Sequence, residues 1–96
     1  MTALLCLNDR VAFGAYQAIQ EAGRHIPDDI SVIAFDDSDL ASWLRPQPTS
    51  VALPHFELGR RAVELFLGGD GQTGRQLVPM PLRERGSIAG VSPPTA

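Results

Sequence analysis

The sequence predicts an α/β fold built on a parallel sheet. Three observations point there. Two short runs, Ala3–Leu7 and Ile30–Phe35, are almost wholly apolar, as strands buried on both faces of a parallel sheet are. The stretch between them carries apolar residues at helical spacing. Each apolar run also ends in a polar pair, Asn8-Asp9 and Asp36-Asp37, where a strand would give way to a loop. Strand, helix and strand with short connections make a βαβ unit, whose crossover is expected to be right-handed.

Taken in order, Ala3–Leu7 (ALLCL) is the first strand, and Asp9 is expected to cap the helix that follows, its carboxylate accepting from free N–H groups of the first turn. Val11, Ala12, Ala15, Ala18, Ile19 and Ala22 form one stripe, and its alanines favour close packing on a sheet. Gly23 stops the helix and Pro27 lies just beyond. Ile30–Phe35 (ISVIAF) is the second strand, after which Ser38 or Asp39 could cap a short helix running to Leu44. Arg45-Pro46-Gln47-Pro48 breaks regular structure and reads as an extended segment. Thr49–Leu53 is β-prone. A second helix spans about His55 to Leu67, with Phe56, Gly59, Val63 and Phe66 at helical spacing and Gly68-Gly69 as its stop. Residues 68–74 are loop by composition. Gln76–Arg83 is a last strand, which Pro79 and Pro81 confine to an edge or a bulge. The Pro-rich tail from Val91 to Ala96 is expected to fray.

A chain of 96 residues fits one small domain or part of a larger one. With 44% hydrophobic and 20% charged residues it has the composition of a globular domain. A net charge of -3, with basic residues scattered apart from Arg60-Arg61 and Arg83-Glu84-Arg85, leaves no footprint for nucleic acid. Cys6 is the single cysteine; it sits in an apolar run and reads as a buried small hydrophobe. No apolar run reaches the roughly 18 residues that span a bilayer, and residues 1–3 do not read as a secretory leader, so none is expected. A cytoplasmic location is the simplest expectation.

Ligands of open parallel α/β sheets bind beyond the carboxyl ends of the strands. Asn8 and Asp36 stand at two such ends. An amide offers a donor and an acceptor, and a carboxylate offers acceptors. The pair suits sugar hydroxyls or the edges of a base, and Asn8 and Asp36 are the candidate ligand-binding residues. Asp37 and Asp39 read as local caps. Adjacent strand residues point to opposite sides, so Asp36 and Asp37 cannot flank one glycosidic bond as a pair of catalytic carboxylates must. His25 and His55 are isolated from each other in spacing, lack the Cys or acid arrangement typical of a metal site, and read as surface or packing residues. A triad composed of Ser31, His55 and Asp70 lacks any nucleophile-elbow motif. Gly69-x-x-x-x-Gly74-Arg75 follows a helix and lacks the Lys-Ser/Thr pair of a phosphate-binding loop. Trp43 reads as a core or interface aromatic. Neither enzyme activity, a metal nor a cofactor is expected.

Six segments resemble the lactose/galactose-repressor (LacI/GalR) family of bacterial transcription regulators. They are Asn8-Asp9-x-x-Ala12-x-Gly14, Glu21-Ala22-Gly23, Ile26-Pro27-Asp28-Asp29-Ile30-Ser31-Val32-Ile33 with Phe35-Asp36-Asp37, Leu44-Arg45-Pro46-x-x-Thr49-Ser50-Val51, Glu57-Leu58-Gly59-Arg60-Arg61-Ala62, and Leu82-x-x-Arg85-x-Ser87. Pro48 and Ser50 depart from the family pattern, in which an apolar residue precedes a Thr-Thr pair. The resemblance implies a periplasmic-binding-protein-like (type I) fold of two α/β subdomains that clamp a ligand. This chain would be a C-terminal fragment with parts of both: residues 1–45 in the C-terminal subdomain, 46–53 a crossing, 54–75 a helix and loop of the N-terminal subdomain, 76–90 a return strand and 91–96 a tail. It further implies a sugar-like effector held by Asn8 and Asp36 and a homodimer contact around the first helix and Trp43. DNA binding would reside in an N-terminal helix-turn-helix outside this chain. The alternative is a periplasmic sugar-binding protein of an ABC transporter, which shares the fold.

Overall fold

In the computed structural model, residues 2–68 and 74–90 are described. The elements are β1 (Ala3–Leu5), α1 (Asp9–Glu21), β2 (Ser31–Asp36), a 3-10 helix (Asp39–Trp43), β3 (Thr49–Ala52), α2 (His55–Gly68) and β4 (Leu82–Arg83). The strands form one sheet in the order β1-β2-β3-β4. β1 pairs parallel to β2 with Ala3 opposite Ser31, and β2 pairs parallel to β3 with Ile33 opposite Thr49. β4 closes the sheet antiparallel to β3, with Val51 opposite Leu82. The expected mixture of a parallel sheet and a crossover helix is therefore present, with the returning strand at an edge.

The core lies between the sheet and α1. Cys6, Val32, Ala34, Ala12, Tyr16, Ile19 and Leu44 form its buried cluster, with Leu4, Ala15, Ile26 and Ile30 packed against it. Successive strand residues face opposite sides of a sheet. Leu4 and Cys6 accordingly meet α1, whereas Leu5 is 62% exposed on the other face. The expectation that the first apolar run is buried on both faces fails here, because α1 covers one face and β1 is an edge strand.

α1 also differs in detail from the predicted stripe. Its buried residues are Asp9, Ala12, Tyr16 and Ile19; Val11 is exposed, and so are Ala18 and Ala22. The burial face is turned toward Tyr16, whose hydroxyl donates to the Pro46 carbonyl at 2.7 Å. With Gln20, whose Nε2 donates to the Arg45 carbonyl at 3.3 Å, Tyr16 holds the helix against the extended segment that leads into β3. Asp9 is not the cap. Asn8 takes that position with extended backbone, and its Oδ1 accepts from the Val11 N–H at 2.9 Å. Ala22 ends the helix, and Gly23 follows with φ 75, the left-handed backbone that glycine adopts freely.

Ser87 fastens the lower end of the sheet. Its hydroxyl accepts from the Thr49 N–H at 2.7 Å and donates to the Val32 carbonyl, while its own carbonyl accepts from the Val32 N–H at 2.9 Å. Ser87 is fully buried. The last strand is shorter than the predicted Gln76–Arg83, since prolines at 79 and 81 supply no N–H for a ladder. α2 has no buried residue. Phe56, Val63, Phe66 and Leu67 are all exposed by more than half. Its polar face carries an ion-pair network in which Arg60 and Arg61 both reach Glu57 and Arg60 also reaches Glu64.

Candidate functional site

The carboxyl ends of β1 and β2 open onto a cleft of about 760 Å³ lined by Asn8, Arg10, Phe13, Asp36, Ser38, Asp39 and Leu40. Both sequence-predicted residues, Asn8 and Asp36, border this one cleft. Two parallel neighbours joined by one helix end on the same side of the sheet, so their terminal residues converge. Asn8 contributes less than its free amide would suggest. Its Oδ1 is engaged in the helix cap, which leaves the Nδ2 donor without a partner among the described residues.

Asp36 is held from several directions. Its backbone has φ 110 and that of Asp37 has φ 54, two successive non-glycine residues in the left-handed half of conformational space. Such backbone persists only where the surroundings impose it, and it concentrates at functional sites. The restraints are visible. The Asp36 carbonyl accepts from Leu53 N–H at 3.2 Å. The Asp37 N–H donates to Ser50 Oγ at 3.0 Å. Arg85 donates to both Asp37 carboxylate oxygens, at 2.7 and 3.3 Å. That hydrogen-bonded pairing with Asp37 holds the guanidinium pKa above its ordinary value. Asp36 itself pairs through Oδ1 with His55 Nε2 at 2.5 Å.

Asp9 lies beneath the cleft, 1% exposed. Its Oδ2 accepts from both the N–H and the hydroxyl of Ser38 at 2.6 Å. Asp9 therefore ties the first turn of α1 to the loop after β2. Its Oδ1 is buried without a hydrogen-bond partner.

Several expectations need correction. Asp37 is not a cap but the partner of Arg85. His55 is a surface residue, as expected, but it also has a partner: 19 residues along the chain from Asp36, it is brought into contact by the turn that begins α2. No spacing rule reveals such a pair, because the meeting depends on where β3 lies in the sheet. Ser31 is buried against Ala89, at the opposite end of β2 from the cleft, and so does not approach His55 through Asp36. Asp70 and most of the Gly69–Gly74 loop lie outside the described residues. Trp43 is not core: it is 78% exposed beside Phe13, Tyr16 and Arg45 on the flank of α1. Among the described residues, no three His, Cys, Asp or Glu side chains converge as metal ligands would, and no helix is long and apolar enough to cross a membrane.

Residues 1–88 match the periplasmic binding protein-like domain family. Over 66 residues the chain is 47% identical to the ribose operon repressor of Haemophilus influenzae, a match that covers 69% of this chain and 20% of that protein. A LacI family transcriptional regulator from Weissella paramesenteroides with bound sucrose superimposes with a TM-score of 0.86 at 31% identity, covering 92% of this chain and 32% of the other. The lac repressor dimer bound to operator and an anti-inducer superimposes with a TM-score of 0.87 at 35% identity, covering 93% and 32%. The chain thus spans about a fifth of that curated relative and a third of each solved chain. The relatives are gene regulators, which favours the regulator reading over the transporter alternative.

Proposed function

Because this chain belongs to the periplasmic binding protein-like domain family, we propose that it is the C-terminal part of the effector-sensing domain of a LacI-type transcriptional regulator. The observation that carries the reading is the shared cleft at the tips of β1 and β2, with the Asn8 amide and the Asp36 carboxylate on its rim. The effector is a sugar-like polyhydroxyl compound. Asn8 donates to it through Nδ2, and Asp36 accepts from its hydroxyls. Sucrose in a similar regulator supports this ligand class. In this reading residues 1–45 belong to one lobe, 46–53 cross over, 54–75 belong to the other lobe and 76–90 return. The protein acts as a cytoplasmic homodimer and performs no catalysis. Effector occupancy shifts the population of lobe arrangements, and DNA affinity changes by linkage through a domain outside this chain.

Calorimetry on the complete gene product that carries this chain tests the proposal, with D-ribose, D-glucose, sucrose and lactose as probes. At least one should bind, and Asp36→Ala should weaken that binding by about tenfold or more, the loss of a hydrogen bond to a charged group, with the sedimentation of the dimer unchanged. Undiminished affinity in Asp36→Ala would remove Asp36 from the site.

A further inference from the structure

We infer that His55 is a positioning residue for the ligand carboxylate of Asp36, an assignment that rests on the effector-site reading above. The bond between His55 Nε2 and Asp36 Oδ1 spans 2.5 Å. Among the described residues it is the one side-chain hydrogen bond that joins α2 to the rest of the molecule. The other side-chain bonds of α2 run within the helix, from Arg60 and Arg61 to Glu57 and Glu64.

Asp36 has a particular need for such a partner. Its backbone stands at φ 110, so its side chain leaves the strand tip in a direction that ordinary strand geometry does not set. The backbone restraints through Leu53 and Asp37 fix the corner but leave the carboxylate free to rotate. His55 removes that freedom by occupying Oδ1, and Oδ2 remains without a partner among the described residues. A carboxylate fixed at one oxygen presents the other in a single direction, and a ligand hydroxyl then meets an acceptor that no longer has to be ordered on binding. The imidazole is 68% exposed, so the ring is not a core element and its replacement leaves no cavity.

The test compares His55→Leu with His55→Gln in the complete gene product. Leucine cannot hydrogen-bond; glutamine keeps a side-chain N–H donor. Affinity for whichever probe sugar the unaltered protein binds should fall about tenfold in His55→Leu and recover to within about twofold in His55→Gln. Carbon-13 spectra of the unliganded protein should show the Asp36 carboxyl resonance displaced in His55→Leu and restored in His55→Gln. In an Asp36→Ala background, His55→Leu should cost nothing further. If the unaltered protein binds a probe, Asp36→Ala weakens it and His55→Leu does not, the positioning role is wrong while the effector site stands. A loss in His55→Leu that His55→Gln fails to restore also overturns it, as would an unmoved Asp36 resonance. If no probe binds the unaltered protein, the effector-site reading falls and the assignment with it.

Discussion

Under the proposed function Asn8 carries two duties through one amide. Oδ1 caps α1, and Nδ2, without a partner among the described residues, would donate to the effector. The duties can be separated by changing the donor alone. Asn8→Asp keeps the capping oxygen and adds a charge that the helix N-terminus favours, so the melting temperature should hold or rise. Sugar affinity should nonetheless fall about tenfold, because the donor is gone. Equal affinity in calorimetry would show that the amide nitrogen takes no part. Asp9 has the opposite character. Removing its carboxylate in Asp9→Ala leaves the half-buried Ser38 N–H and hydroxyl without their partner, and denaturant unfolding should report a loss of about 1 kcal/mol or more. The meeting of Asn8 and Asp36 at one cleft was legible in the sequence because neighbouring parallel strands end on the same side of their sheet. Their neighbours His55 and Arg85 were not, since each reaches its aspartate from another element.

At the scale of elements, most of what composition and periodicity announced is present: two parallel strands, the helix between them, the proline-limited edge strand and the helix ending near Gly68. One misjudgement concerns the face that α1 buries. A stripe of alanines and a valine was expected to face the sheet, but Tyr16 has the larger surface to bury and a hydroxyl that finds the Pro46 carbonyl, and the helix turns to accommodate it. Burial pushes the Tyr16 pKa up to about 12 from an ordinary 10. The neutral phenol is the form the fold prefers, so the folded state holds this proton more tightly than the unfolded chain does. The associated stability is fully present below pH 10 and is lost as pH climbs toward about 12. The chain has one tyrosine, so tyrosinate absorbance during alkaline titration reports this group alone. Its midpoint should lie well above that of the urea-unfolded chain. Coincident midpoints would mean the hydroxyl is not buried. The alkaline loss of stability should be absent in Tyr16→Phe, which at neutral pH should cost about 1 kcal/mol for the missing hydrogen bond.

The whole molecule is unevenly finished. One face of the sheet has α1 against it, while Leu5 and the apolar side of α2, with Phe56, Val63 and Phe66, stand in solvent. An exposed apolar area of this extent drives association. The 96-residue chain by itself should therefore sediment as concentration-dependent oligomers, and Val63→Glu with Phe66→Glu should shift that distribution toward monomer. A stable monomer with one cooperative thermal transition, before any substitution, would contradict the expectation. Such exposure is also why sequence could predict α2 but not its packing: periodicity tells which face of a helix is apolar, not whether anything lies against it.

The buried serine at the foot of the sheet bears on how the chain matures during synthesis. β2 and β3 leave the ribosome more than thirty residues ahead of Ser87, yet the Thr49 amide and the Val32 carbonyl receive their hydroxyl partner only from that residue. Until it emerges, the two central strands can pair at their cleft ends while their opposite ends stay unlatched. A nascent chain stalled before this point would pair these strands at their cleft ends on an open base, so assembly of this sheet is expected to finish at the end farthest from the cleft.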